Sequence, residues 1–155
     1  MSVKYELRFV ATAVVISAVL LIWAHVSASG LDDSTTALAV LQTKAEQAQP
    51  KDKCFLYARL VNQMTDLAGR QFNSGDSEQA SETLKLVQQY AVKIQMGVSD
   101  DSKRMKDAEV LMRRTSSRLK DIRDGASYED RQTLEATLKQ LDQVQAQLMT
   151  QVFKK

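Results

Sequence analysis

The most reactive side chain in this sequence is the thiol of Cys54, in the run Pro50-Lys51-Asp52-Lys53-Cys54-Phe55. A helix N-terminus and neighbouring ammonium groups both favour a thiolate. A helix starting at Pro50, with Lys51 and Lys53 beside the thiol, would therefore lower its pKa, while Asp52 opposes the effect. In an exported protein an unpaired cysteine can also join two chains. The alternative is a small core hydrophobe beside Phe55 and Leu56, sealed under the preceding helix. With no C-x-x-C partner, the sequence favours this second role. Cys54 is the candidate reactive or intermolecular thiol. No catalytic residue, cofactor-binding residue or metal ligand is assigned.

Other chemistry is limited by what the chain lacks. The single histidine, His25, falls within a leader-like segment, so the chain after it has no imidazole. Ser-His-Asp and Cys-His catalysis and most zinc sites are thereby excluded from that portion. The acidic pairs Asp32-Asp33, Asp100-Asp101 and Glu129-Asp130 each sit beside an expected helix start, where capping explains them. None fits the twelve-residue calcium loop. The glycines are isolated from one another, so no phosphate-cradling loop is present. Arg113, Arg114, Arg118, Lys120 and Arg123 form a basic cluster, but Glu109, Asp121 and Asp124 interleave with it as on a solvated helix face. The net charge is only +2 with 26% charged residues of both signs, which gives no case for nucleic acid. Met64, Met96, Met105, Met112 and Met149 fall on or beside apolar stripes and read as core gap-fillers.

The elements that would position these groups are helical. Met105, Ala108, Met112, Thr115, Leu119 and Ile122 recur at steps of three and four, widened by Leu111, and place one apolar stripe on a helix. Leu134, Leu138, Leu141, Val144, Leu148 and Val152 form a second ladder. Asp124-Gly125-Ala126-Ser127 is a short turn between them, which implies an antiparallel pair. Ser127 with Asp130 resembles a capping box. Upstream, Asp33 or Ser34 would cap a helix bearing Leu38, Leu41, Ala45 and Ala48. Gln49-Pro50 interrupts it and starts a helix over 51–72, with Tyr57, Leu60, Met64, Leu67 and Phe72 inward. Asn73-Ser74-Gly75-Asp76 is the next turn. A further helix carries Ala80, Leu84, Val87, Ala91 and Ile94 and ends at Gly97. Ser99, Asp100 and Asp101 start the one after it. The pairs Lys103–Asp107, Glu109–Arg113 and Lys120–Asp124 mark its wet face. No stretch alternates as a strand would. The expected fold is all-α: an antiparallel bundle of four long helices over 51–155, preceded by a shorter helix and linker over 29–50.

The first residues have a different character. Lys4 and Arg8 precede an apolar run, Phe9 to Ala24, followed by His25-Val26-Ser27-Ala28-Ser29-Gly30. A basic start, an apolar middle and small residues at the exit describe a signal peptide over 1–28, cleaved after Ala28. The rival is an uncleaved signal anchor, somewhat short against the ~20 residues a spanning helix needs. Lys4 and Arg8 against Asp32 and Asp33 orient either version with its N-terminus in the cytoplasm. No cysteine follows the apolar run, as a lipoprotein would require. A lone cysteine also forbids an internal disulfide.

Residues 61–94 resemble a single tetratricopeptide-type helical hairpin. Leu67 and Ala68, the turn Gly75-Asp76, then Ala80, Leu84 and Val87 match the small and apolar positions where the two helices of that repeat cross. Gln71 stands where an aromatic is usual, no proline follows the second helix, and the period is not repeated. The resemblance implies a concave peptide-binding surface and assigns no ligand residue.

The sequence therefore describes an exported, non-catalytic helical module of the bacterial cell envelope, periplasmic or held in the inner membrane with its C-terminal domain outside the cytoplasm. A tethered sensor or assembly component and a thiol-dependent redox protein using Cys54 are the alternatives. No cofactor and no nucleic acid are expected. The partner is a protein or a second copy of the chain, because the last two stripes extend for about 27 Å at 1.5 Å per residue. Contact with a membrane is expected only through residues 9–28, if uncleaved.

Overall fold

The computed structural model describes residues 29–96 and 102–154. The expected signal segment 1–28, the stop at Gly97 and the Ser99-Asp100-Asp101 start lie outside them. Among the described residues there are five helices and no strand: α1 (Ser29–Gln47), α2 (Pro50–Asn73), α3 (Ser77–Met96), α4 (Ser102–Gly125) and α5 (Tyr128–Val152). The chain divides into two units after Thr36. Residues 29–36 are the described part of the first and are helical. Ala37 onward, including the second half of α1, forms the bundle body.

Local sequence accounts for most of the boundaries. Gln49 takes the extended conformation that the residue before proline prefers, at φ −63° and ψ 150°, and Pro50 opens α2. At the other end of α2, Gly75 adopts φ 85°. The Asp76 amide donates to the Gln71 carbonyl at 2.9 Å and the Gly75 amide to that of Phe72 at 3.1 Å. These two bonds form a Schellman stop, which only glycine enters without strain. Ser127 caps α5 by accepting from the Asp130 amide at 3.3 Å, while its hydroxyl donates to the Asp130 carboxylate at 2.6 Å. The expected cap at Asp33 or Ser34 is corrected: both lie inside α1, which already runs from Ser29. Capping chemistry is a local preference, and a continuing helix overrides it at small cost when the residue stays near the surface.

The order of packing was not legible beforehand. α2 and α3 form one antiparallel hairpin, α4 and α5 another. The hairpins lie side by side, with α2 against α4 and α3 against α5. Like helices run parallel across that join. Asp52, Asn62 and Asp66 of α2 meet Arg104, Thr115 and Arg118 of α4 in rising order. Ser77 and Gln88 of α3 meet Asp130 and Thr137 of α5 in the same sense. At the far end of the α2–α4 contact, a Cβ on Gly69 would come within 2.9 Å of Ile122 Cδ1, so the missing side chain lets the two helices approach there.

Nearly every expected ladder residue is buried. Leu38, Leu41 and Ala45 of α1 join Leu60, Leu84, Met112, Leu119, Leu134 and Leu141 in one core. Ala48, Phe72, Leu111 and Ile122 pack on its edge, half-buried. Two of the methionines depart from the expected role. Met96 is 73% and Met149 43% exposed, because the first is the last residue of α3 and the second lies one step past the stripe residue Leu148.

Polar side chains are buried in the same body. Thr83 Oγ1 lies 2.8 Å from Gln71 Oε1 and 3.0 Å from the Gln79 carbonyl, between α2 and α3. Ser116 is also buried, and its hydroxyl has no partner among the described residues. The two sites predict opposite effects. Thr83→Val strands the Gln71 amide oxygen and should cost about 1–3 kcal/mol, most of it recovered by adding Gln71→Leu. Ser116→Ala removes an unpaired hydroxyl and should stabilise by about 1 kcal/mol. Urea unfolding of the parent and the three variants measures both.

Candidate functional site

Cys54, the candidate reactive or intermolecular thiol, is fully buried in the core. Burial raises its pKa from an ordinary 9.0 to about 11. The helix start and the lysines do not compensate, because the thiolate would lose its water whatever field it stands in. Burial favours the core role that the sequence already preferred: Cys54 is a small core residue, and a bond to a second chain would require the body to open.

Three residues further along α2, Tyr57 stacks on Tyr90 of α3 with ring centroids 5.9 Å apart. The Lys93 ammonium sits 5.5 Å and 4.9 Å from those two centroids and 3.8 Å from Glu46 of α1. Desolvation and then Glu46 raise both phenol pKa values. This cluster fastens the end of α1 onto α2 and α3.

The basic cluster of α4 is dispersed by the fold. Arg113 holds Glu109 at 3.4 Å, Arg118 reaches Asp66 on α2 at 3.7 Å, and Arg123 turns to Asp124 at 2.8 Å. The expected Glu109–Arg113 pair forms. The Asp124 carboxylate is taken by Arg123 instead of Lys120, and the Lys103 side chain is not described. Of the acidic pairs, Asp100-Asp101 lies outside the described residues. Asp130 accepts hydroxyl bonds from Ser77 at 3.1 Å and from Ser127, so it ties the starts of α3 and α5 together. Among the described residues no group of three or more histidine, cysteine or acidic side chains is placed to hold a metal.

The feature that sequence reading missed is a valley along the α2–α4 join, where two hollows adjoin. The first, about 410 Å³, is lined by Lys44, Ala48, Asp52, Phe55, Arg59 and Arg104, among others. The second, about 360 Å³, shares Phe55 and Arg59 and adds Asp107, Val110, Leu111 and Arg114. Phe55 and Leu111 form an apolar floor and Val110, 47% exposed, stands at its edge. The Arg104 guanidinium lies 5.1 Å from the Phe55 ring centroid and 3.2 Å from the Asp52 carboxylate. Arg59 and Arg114 are exposed and have no ion-pair partner among the described residues. These residues come from α1, α2 and both flanks of the α4 stripe. No spacing within a single helix signals them, because the site exists only once α4 is known to lie beside α2.

Two measurements check the placement of Cys54. An uncharged maleimide should leave the folded protein unlabelled and modify Cys54 only in denaturant; prompt labelling of the native form would contradict the burial. The raised thiol pKa also carries a sign. The folded state keeps its proton between pH 9 and 11 while the unfolded chain loses it, so stability is full below about pH 9 and falls as pH rises through the folded value, by roughly 1 kcal/mol per unit. Unfolding curves of the parent and Cys54→Ala should diverge in that window and run parallel below it.

No protein-family model matches the chain, and no curated protein or solved structure is significantly similar to it. The tetratricopeptide-type resemblance of 61–94 thus goes no further than a close helical hairpin in which Leu67, Ala68, Ala80, Leu84 and Val87 are buried.

Proposed function

We propose that this protein is an exported, non-catalytic helical module of the bacterial cell envelope that docks a protein partner in the α2–α4 valley. The observation that carries the docking role is the valley itself. It is an apolar floor of Phe55 and Leu111, rimmed by guanidinium and ammonium groups, on a body whose other α4 arginines are occupied by carboxylates. An apolar centre with a charged rim containing arginine and an aromatic is the composition of a binding patch. The cell-envelope location is supported by Lys4, Arg8, the apolar run 9–24 and the small residues before Ser29. No helix among the described residues is long and apolar enough to cross a membrane, so tethering, if present, falls to residues 9–28. Burial of the Cys54 thiol argues against the redox alternative.

Fractionation with N-terminal sequencing tests the location. A chain starting at Ser29 in the periplasm, or an intact chain in the inner membrane, fits the proposal; an intact soluble chain in the cytosol refutes it. For docking, a photocrosslinking residue at Val110 should yield an adduct of discrete mass in cells, and the same residue at the exposed Tyr128 should not. Equal adducts at both positions, or none at Val110, would remove the valley from the function.

A further inference from the structure

The docking role leaves open what the valley selects, and its charges narrow the choice. Four cations line it, Lys44, Arg59, Arg104 and Arg114, against two carboxylates, Asp52 and Asp107. Asp52 is already engaged by Arg104. The remaining arginines of α4 at 113, 118 and 123 each have an acidic partner on the same body, whereas Arg114 and, across the valley, Arg59 have none among the described residues. A guanidinium binds a carboxylate through two parallel hydrogen bonds, and that geometry is unused at both positions. Between them lie the Phe55 ring and the Val110 and Leu111 side chains, which a carboxylate alone would not cover.

From this charge complementarity, and resting on the docking role proposed above, we infer that the occupant is an acidic peptide segment of the partner protein. It would carry carboxylates on either side of an apolar residue. The apolar side chain fills the floor against Phe55, Val110 and Leu111, and the flanking carboxylates meet Arg59 and Arg114. Nucleic acid fits less well, because Asp52 and Asp107 would face its phosphates and one aromatic ring offers no stacking series. The hollows suit a short segment, so affinity is modest and falls with salt.

Selection of phage-displayed random peptides on the full-length protein tests the inference. Enriched peptides should carry at least two Asp or Glu residues flanking an apolar one. A synthetic peptide of that sequence should bind at least tenfold more weakly to R59E/R114E and to V110D, with intermediate loss in R59K/R114K. All these positions are exposed, and circular dichroism with thermal unfolding verifies that each variant is folded. Enriched peptides without acidic residues that still lose binding on V110D would overturn the acidic preference while leaving the docking role in place. If no peptide depends on any of these residues, both fall. An oligonucleotide that binds as tightly as the best peptide, and is lost in R59E/R114E, would overturn the peptide assignment.

Discussion

A leucine ladder can slide past another by one helical turn and bury almost the same area; a buried hydroxyl or amide cannot be moved without losing its partner. That difference holds this bundle in register. Asn62 of α2 donates to Thr115 Oγ1 of α4 at 3.0 Å, and Gln88 of α3 donates to Thr137 Oγ1 of α5 at 2.7 Å. Each threonine hydroxyl in turn donates to the carbonyl four residues back, Leu111 and Thr133, at 2.8 Å. The arrangement occurs on both sides of the join between the hairpins, with the amide on the first hairpin and the threonine on the second. Gln140 adds a bond to the Gln88 carbonyl at 2.9 Å, and Ser77 one to Asp130. A slip of one turn, ~5.4 Å, would break all of these cross-helix bonds together. The donors are half-buried, so each lost bond costs about 0.5–1.5 kcal/mol, and together they bias the register. Burial of the aliphatic stripes supplies the driving force, and these pairs select one arrangement from several of similar area.

The same distinction explains what could be read from the residues alone. Periodicity reports which side of a helix is hidden. It placed Met105 to Leu119 and Leu134 to Leu148 inward, and the residues are buried there. Turn chemistry is equally local: Pro50, Gly75 and Ser127 act within four residues of themselves, and each performs the role its type predicts. Packing order is not local. Asn62 and Thr115 are separated by 53 positions, and nothing in either one's neighbourhood names the other. Thr115 could be assigned to a stripe, but its partner could not. The start of α1 was misplaced for a related reason, since Asp33 and Ser34 have the chemistry of a cap whether or not the helix continues past them.

Charges follow a similar logic. Along the α4 sequence, Arg113 to Arg123 look like one solvated cluster, because charges of both signs recur within it. In three dimensions the side chains fan around the helix, and most of the arginines take a carboxylate on their own side. Arg113 finds one on α4 itself, Arg118 finds Asp66 on α2, and Arg104 finds Asp52 one helix away. Exposed pairs of this kind contribute little stability, ~0–1 kcal/mol each. Their consequence is electrostatic: where a cation has a partner, the surface there presents no net demand. Such a surface is locally neutral and selects no ligand.

The parallel contact of α2 with α4 explains the position of the valley. Where Gly69 meets Ile122, the absent side chain lets the helices come together. Toward the other end of the join, Phe55 and Arg59 on α2 face Val110, Leu111 and Arg114 on α4, and side chains of that size hold a furrow open between the helix ridges. The end of α1 adds Lys44 and Ala48 to one wall, since the break at Gln49-Pro50 turns the chain there. Thus a glycine at one end of the seam, a proline at the other and the polar pair Asn62–Thr115 between them fix both the register of the bundle and the position of the valley on its surface. Substitutions that shift that register would therefore alter the valley even when they lie far from it, and stability and recognition in this protein depend on the same interface.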